Sequence, residues 1–216
     1  MAYVSNEYVA GVLGWPWASG NAIDATLTAR IPLAESFIES YCGTDFAEVT
    51  GSEIYNSSGV ENLMLRKHLT ELTKIEFLDE DGAVIETLFS TAATNKSVIG
   101  KPTEKTLVPG LNAYTFLTRL DNQYWPIGKN RIKITGKWGF PTDNFPQQLK
   151  AAIAYTVQHI SNLSRLNQLV LSENNAGATM TFNTDFLEKN PYPNIPSIAQ
   201  KMAVHYRIHT DLDSCP

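Results

Sequence analysis

His205 and His209 stand four residues apart, with Asp211 and Asp213 close behind. On a helix that spacing puts two imidazoles on one face, as a zinc site requires. Tyr206 follows His205 where an HExxH metalloprotease carries its glutamate base. Asp79, Glu80 and Asp81 cluster carboxylates, but without the alternating ligands and distant bidentate Glu of a calcium loop. With Gly82 they read as a hairpin tip. Lys129, Arg131 and Lys133 alternate with Asn130, Ile132 and Ile134. On a strand this sets three cations on one face, a stripe suited to phosphate, DNA or an acidic partner, or an ordinary solvated face. Trp15, Trp17, Trp125 and Trp138 each neighbour Pro or Gly. Such rings either stack on bases and sugars or anchor loops to a core. His68 and His159 have no nearby Cys, Ser or Asp in a catalytic arrangement. GxSxG, CxxC and phosphate-binding glycine loops are absent from the sequence. The expectation is no catalytic centre, no metal and no cofactor.

Composition bounds the rest. The chain has 216 residues, 43% hydrophobic and 18% charged, with a formal charge of −5. That length fits one domain with a large insertion or arm, and it buries a core without staples. No stretch of ~18 apolar residues reads as a membrane span, and no secretory signal is visible. Cys42 and Cys215 are the two cysteines, too few for a disulfide framework or a four-cysteine zinc site, and they fit a reducing compartment. Charge is uneven. Residues 1–65 hold eight acids (Glu7, Asp24, Glu35, Glu39, Asp45, Glu48, Glu53, Glu61) against Arg30, a net of −7. Residues 109–216 hold seven acids and ten bases, a net of +3. Opposite ends of opposite sign suit head-to-tail packing of copies.

The elements that would carry these residues follow from periodicity. Ser5 can cap a helix over 5–14 that Gly14 ends. Leu27, Ile31, Ala34, Phe37, Ile38 and Tyr41 recur at helical spacing over 24–42, with Pro32 inside and Gly43 after the end. From 52 to 140 the pattern turns β-rich: Asn62–Arg66, Leu72–Leu78, Ala83–Leu88, Tyr114–Arg119 and Asn130–Thr135 read as strands, and 89–113 as a polar loop. A long helix over 146–166 presents Leu149, Ala152, Ile153, Thr156, Val157, Ile160 and Leu163. Residues 172–184 read as a loop. Tyr192-Pro193-Asn194-Ile195-Pro196 reads as extended, and Ser197 to about His209 as a short helix. The expected fold class is α+β, mainly a helical bundle core with a β-rich hairpin insertion and an extended C-terminal arm.

Four segments carry a resemblance: SNEYVAGVLG; IPLAESFIESYCGTDF; NLMLRKHLTELTKIEFLDEDGAVIE; and YWPIGKNRIKITGKWGFPTDNFPQQLKAAIAYTVQHI. Their order resembles the head–tail connector (adaptor) family of tailed bacteriophages over roughly residues 3–165. The resemblance implies an adaptor domain over 1–165 and a C-terminal arm over 166–216. Members of that family are not enzymes. They form a ring, commonly of twelve copies, beneath the portal protein in the virion neck, and they are made in the bacterial host cytoplasm. The ring extends the channel for genomic DNA, which passes without specific binding, and it receives a stopper or tail protein. Helices form the ring body, the β-rich insertion projects, and the C-terminal arm docks on the portal.

This frame assigns expected roles. Glu35 and Glu39 are candidate channel-facing acids, because an acidic lumen repels phosphate. Lys129, Arg131 and Lys133 are the candidate basic interface stripe. Tyr192, Ile195, Ile198 and Met202 are the candidate portal-docking arm. Competing readings are another neck protein (stopper or tail terminator), a DNA- or carbohydrate-binding module built on the cations and tryptophans, and a metal-dependent hydrolase using His205 and His209.

Overall fold

The computed structural model describes residues 3–91, 99–100, 113–119, 123–172, 192 and 194–208, with 99–100 and 163–172 as backbone only. The chain divides into two units. One takes the chain up to Cys42 together with Gln147 to Arg207; the other takes Gly43 to Pro146 with Ile208 onward.

The first unit is helical. Helix α1 (Asn6–Leu13) begins where the Ser5 hydroxyl accepts the Tyr8 N–H. It ends at Gly14, whose left-handed φ of 66° lets its N–H close back on the last turn. Helix α2 (Ala22–Cys42) runs unbroken through Pro32 and buries Leu27, Ile31, Ala34, Ile38 and Tyr41. Steps of four and three residues keep those side chains on one stripe. Helix α3 (Gln147–Ser172) buries Leu149, Ala152, Ile153, Val157 and, among polar groups, Thr156 and Ser161. Both hydroxyls donate to the carbonyl one turn back, at 2.8 and 2.7 Å, so neither is a buried orphan. Helix α4 (Ser197–Ala203) packs on α2 and α3 and buries Ala199 and Ala203, and the 3-10 turn Val204–Tyr206 that follows it buries Tyr206.

The second unit is an antiparallel sheet. Strands β1 (Val49–Ser57), β2 (Asn62–Leu78), β3 (Val84–Ser90), β4 (Ile99–Gly100), β5 (Tyr114–Arg119) and β6 (Gly128–Trp138) pair in the order β1-β6-β2-β5-β4, with β3 on β2. The 17-residue β2 organises the sheet. Its first half pairs with β5, and its second half lies between β6 and β3. The sheet owns a separate apolar core, including Leu65, Leu69, Ile75, Leu117, Trp125, Ile132, Ile134 and Trp138.

This overturns the expected helical bundle core with a hairpin insertion. Helix and strand are nearly balanced among the described residues, and the sheet is a core-forming body. The physical reason lies in β2. Register shifts between Leu69 and Glu71 and between Leu72 and Lys74 reset the inside–outside alternation. One long strand therefore reads as two short runs separated by Lys67-His68-Leu69. The strand β1, VTGSEIYNS, is too polar to announce itself; its partner strand and not its composition makes it β.

Two glycines of β6 and its exit permit the close packing. A Cβ on Gly136 would lie 2.2 Å from the Glu71 carbonyl oxygen. At Gly139 (φ 81°) it would lie 2.1 Å from the Ala47 carbonyl oxygen.

Candidate interaction surfaces

The acids of the N-terminal third divide by environment. Glu35 is buried at 7% exposure, and its Oε1 accepts the N–H of Tyr3 at 2.6 Å and of Val4 at 3.4 Å. Burial pushes its carboxyl above the ordinary range, and the two N–H donors pull it partly back. Glu39 is half-buried and accepts the Tyr3 hydroxyl at 2.5 Å. The two residues expected to face a channel thus hold the start of the chain onto α2. Asp24 does the same for the α1–α2 link. Its carboxylate accepts Asn6 Nδ2 at 2.6 Å, Trp17 Nε1 at 2.9 Å and the Gly20 N–H at 2.9 Å, and these bonds, led by Asn6, hold its pKa down. Glu7, Asp45, Glu48 and Glu61 are the exposed acids of this stretch.

The basic stripe sits on β6, on the sheet face opposite the apolar core, where acids answer it. Arg131 reaches Glu80 at 2.8 Å, Lys133 reaches Glu76 at 3.5 Å, and Lys137 reaches Glu71 at 2.6 Å. Lys74 also pairs with Glu76, and Lys67 with Glu53 at 3.1 Å. Glu76 is consequently held below the usual carboxylate range, chiefly by the Lys74 hydrogen bond. The face is a ladder of alternating sign, not a cationic strip. Lys129 precedes the positive-φ residue Asn130 (54°), lies outside that alternation, and is exposed.

Three of the tryptophans are anchors. Trp125 is 1% exposed and donates to the Glu61 carbonyl at 3.0 Å. Trp138 donates to the Gly51 carbonyl at 3.2 Å and stacks on Tyr55. Trp17 is bonded to Asp24, as above. Trp15 and Pro16 line a groove of about 230 Å³ with Ile23 and Arg30, smaller than the ~300–1,000 Å³ of small-molecule sites.

Of the docking-arm candidates, Ile195 is buried at 2%, Tyr192 stacks edge-on against Tyr41 at 4.9 Å, and Met202 is half-buried. Ile198 presents an exposed apolar side chain. His205 is exposed on the last 3-10 turn, and His209 lies outside the described residues. Among the described residues no three His, Cys, Asp or Glu converge as a metal site. Asp79 Oδ1 is taken up by the hairpin itself, accepting the Asp81 and Ala83 N–H groups at 3.0 and 2.7 Å. His68 is fully buried between the Phe46 and Phe140 rings, and burial lowers its pKa to about 4. Burial likewise raises the Cys42 thiol to about 12, which makes it an unreactive core residue.

Sequence reasoning missed the exposed apolar side chains of the sheet unit. Val49 and Ile54 lie on β1, Val84 and Ile85 on β3, and Val60, Tyr124 and Ile127 on two loops. The Trp125 N–H donates to the Val60 carbonyl and ties those loops together.

No protein-family model and no curated protein matches this chain. Two solved structures are similar in part. One is a chain in the neck of an empty gene transfer agent particle, computed with C6 symmetry (15% identity, 97% of this chain and 91% of that chain covered, TM-score 0.48). The other is a chain in the virion of a native gene transfer agent particle (14% identity, the same coverages, TM-score 0.48).

Proposed function

We propose that this chain is a structural protein of a phage-like particle neck, acting as a head–tail adaptor and not as a catalyst. The observation that carries the reading is the chain plan: α1 and α2, then the sheet of residues 43–146, then α3 and α4, with the helices before and after the sheet sharing one unit. That plan matches the order of features on which the adaptor resemblance rests. In this reading copies form a ring, of twelve in most adaptors, beneath a portal. A stopper or tail protein docks on the far side, and genomic DNA passes through without being gripped. A conduit works when its wall repels phosphate, and exposed acids such as Glu7 and Glu48 supply that sign. Ile198 is an apolar contact that the C-terminal segment offers a portal.

Electron microscopy of the chain mixed with its portal, or of the particle neck, tests the proposal. An annulus of this chain beneath the portal is the expected result. Its absence from particles, or catalytic turnover by the isolated chain, overturns it.

A further inference from the structure

Among the described residues, β1 pairs with β6 alone and β3 with β2 alone, while β4 ends the other branch of the sheet. Between them the four strands align in rows: Ser52–Thr135–Lys74–Ser90, Glu53–Ile134–Ile75–Phe89, Ile54–Lys133–Glu76–Thr87 and Tyr55–Ile132–Phe77–Glu86. Val49 to Tyr55 runs as seven consecutive regular pairs. Natural edge strands are blunted with Lys, Pro or bulges, because a bare edge templates another strand. Strand β1 (VTGSEIYNS) has neither Lys nor Pro, its single acid is engaged by Lys67, and Ile54 is 45% exposed. Strand β3 (VIETLFS) also lacks both. Its two register shifts bend it, and Ile85 stands 67% exposed.

Strand direction decides what these edges accept. These three strand pairings are antiparallel, so β1, β6, β2 and β3 run up, down, up, down. An even number of alternating strands has edges of opposite direction. A copy placed head to tail therefore meets β3 with a β1 of the antiparallel sense, and the alternation continues unbroken. Two copies related by a two-fold axis would instead use one edge and leave the other bare.

We infer that β1 of one copy pairs antiparallel with β3 of the next, so that the sheets of neighbouring subunits join head to tail around a ring. This rests on the proposed ring for its closure, and it adds which strands make the joint. The bends in β3 supply curvature, which closure of a sheet requires.

Cysteine pairing tests it. Within one copy Ile54 and Thr87 are three strand spacings apart, about 14 Å, beyond the ~7 Å reach of a disulfide. In a Cys215→Ser background, Ile54→Cys combined with Thr87→Cys, or with Ile85→Cys, should give an oxidation-dependent ladder of multimers, and each single variant none. Ile54→Lys together with Ile85→Lys should reduce the assembled mass, measured by light scattering, to one chain while the far-ultraviolet spectrum stays unchanged. Dimers from Ile54→Cys alone mean a two-fold β1–β1 joint and overturn the inference. So does a lysine variant that assembles like the parent. A parent chain that stays monomeric at every concentration also overturns it, since an edge joint needs no third component; the neck reading is then judged by microscopy alone. An annulus in the neck with no ladder would leave the adaptor standing and remove this joint.

Discussion

The helical unit and the sheet unit solve the same burial problem with different tolerances. In the helical unit, space is made by periodicity. Apolar side chains of α2 and α3 recur at helical spacing to fill the interior, and the glycine that ends α1 has nothing within 4 Å of where a Cβ would sit. In the sheet unit the backbone itself is pressed against neighbours, with Gly136 and Gly139 at carbonyl oxygens. The helical unit is specified by which side chains are apolar. The sheet unit depends on a few positions where no side chain fits.

Two glycines of similar φ make the sharpest test. Gly139→Ala should destabilise the chain by about 4 kcal/mol, because a left-handed φ and a collision with the Ala47 carbonyl add. Gly14→Ala, with φ 66° in open space, should cost about 1 kcal/mol. Chemical denaturation measures both, and equal costs would erase the contrast.

Acid separates the units next. His68, in the sheet unit, has a folded pKa of about 4 against an ordinary 6.5. The unfolded chain takes up the proton first, so stability falls as pH drops from 6.5 to about 4, by about 3 kcal/mol in all. His68→Leu should flatten that slope in denaturation curves taken across the range. Glu35, in the helical unit, has the opposite sign. Its carboxyl holds its proton more tightly in the folded state, so its contribution is present at low pH and is lost as pH rises through the raised folded value. Glu35→Gln should remove that loss and make the chain more stable at neutral pH than the parent. If Glu35→Gln instead weakens the chain at neutral pH, the two N–H bonds from Tyr3 and Val4 outweigh burial. The smallest effect belongs to the outer ladder. Arg131→Ala should cost about 1 kcal/mol or less, because its partner Glu80 is largely exposed, and the cost should shrink further in high salt.

The same difference explains what the sequence let one read. Helical spacing alone picks out Leu27, Ile31, Ala34 and Ile38, and Ser5 and Gly14 mark the bounds of α1, because each of these signals is local. Strand β2 is not local in that sense. Its alternation resets wherever a register shift meets β6 or β5, and β1 is β only because β6 lies beside it. Among the site residues, the stripe of Lys129, Arg131 and Lys133 was visible as spacing. The acids that answer Arg131 and Lys133 come from β2 and the β2–β3 hairpin, some fifty residues earlier, and no pattern within β6 announces them. Glu35 was legible as an acid but not as a buried one, since that depends on Tyr3 and Val4 folding back over thirty residues.

The helical unit draws on two stretches of sequence, up to Cys42 and from Gln147 to Arg207, and the strands of the sheet lie between those stretches in sequence. On the ribosome, where chains emerge from the N-terminus at ~5–20 residues per second, α1 and α2 appear first and must wait. Leu27, Ile31 and Ile38 stay uncovered until about a hundred further residues deliver α3. The sheet, drawn from one continuous stretch, can close in the meantime. Nascent chains of this protein should therefore pass through a state with finished strands and an unmated pair of helices, the form in which a chaperone would find them.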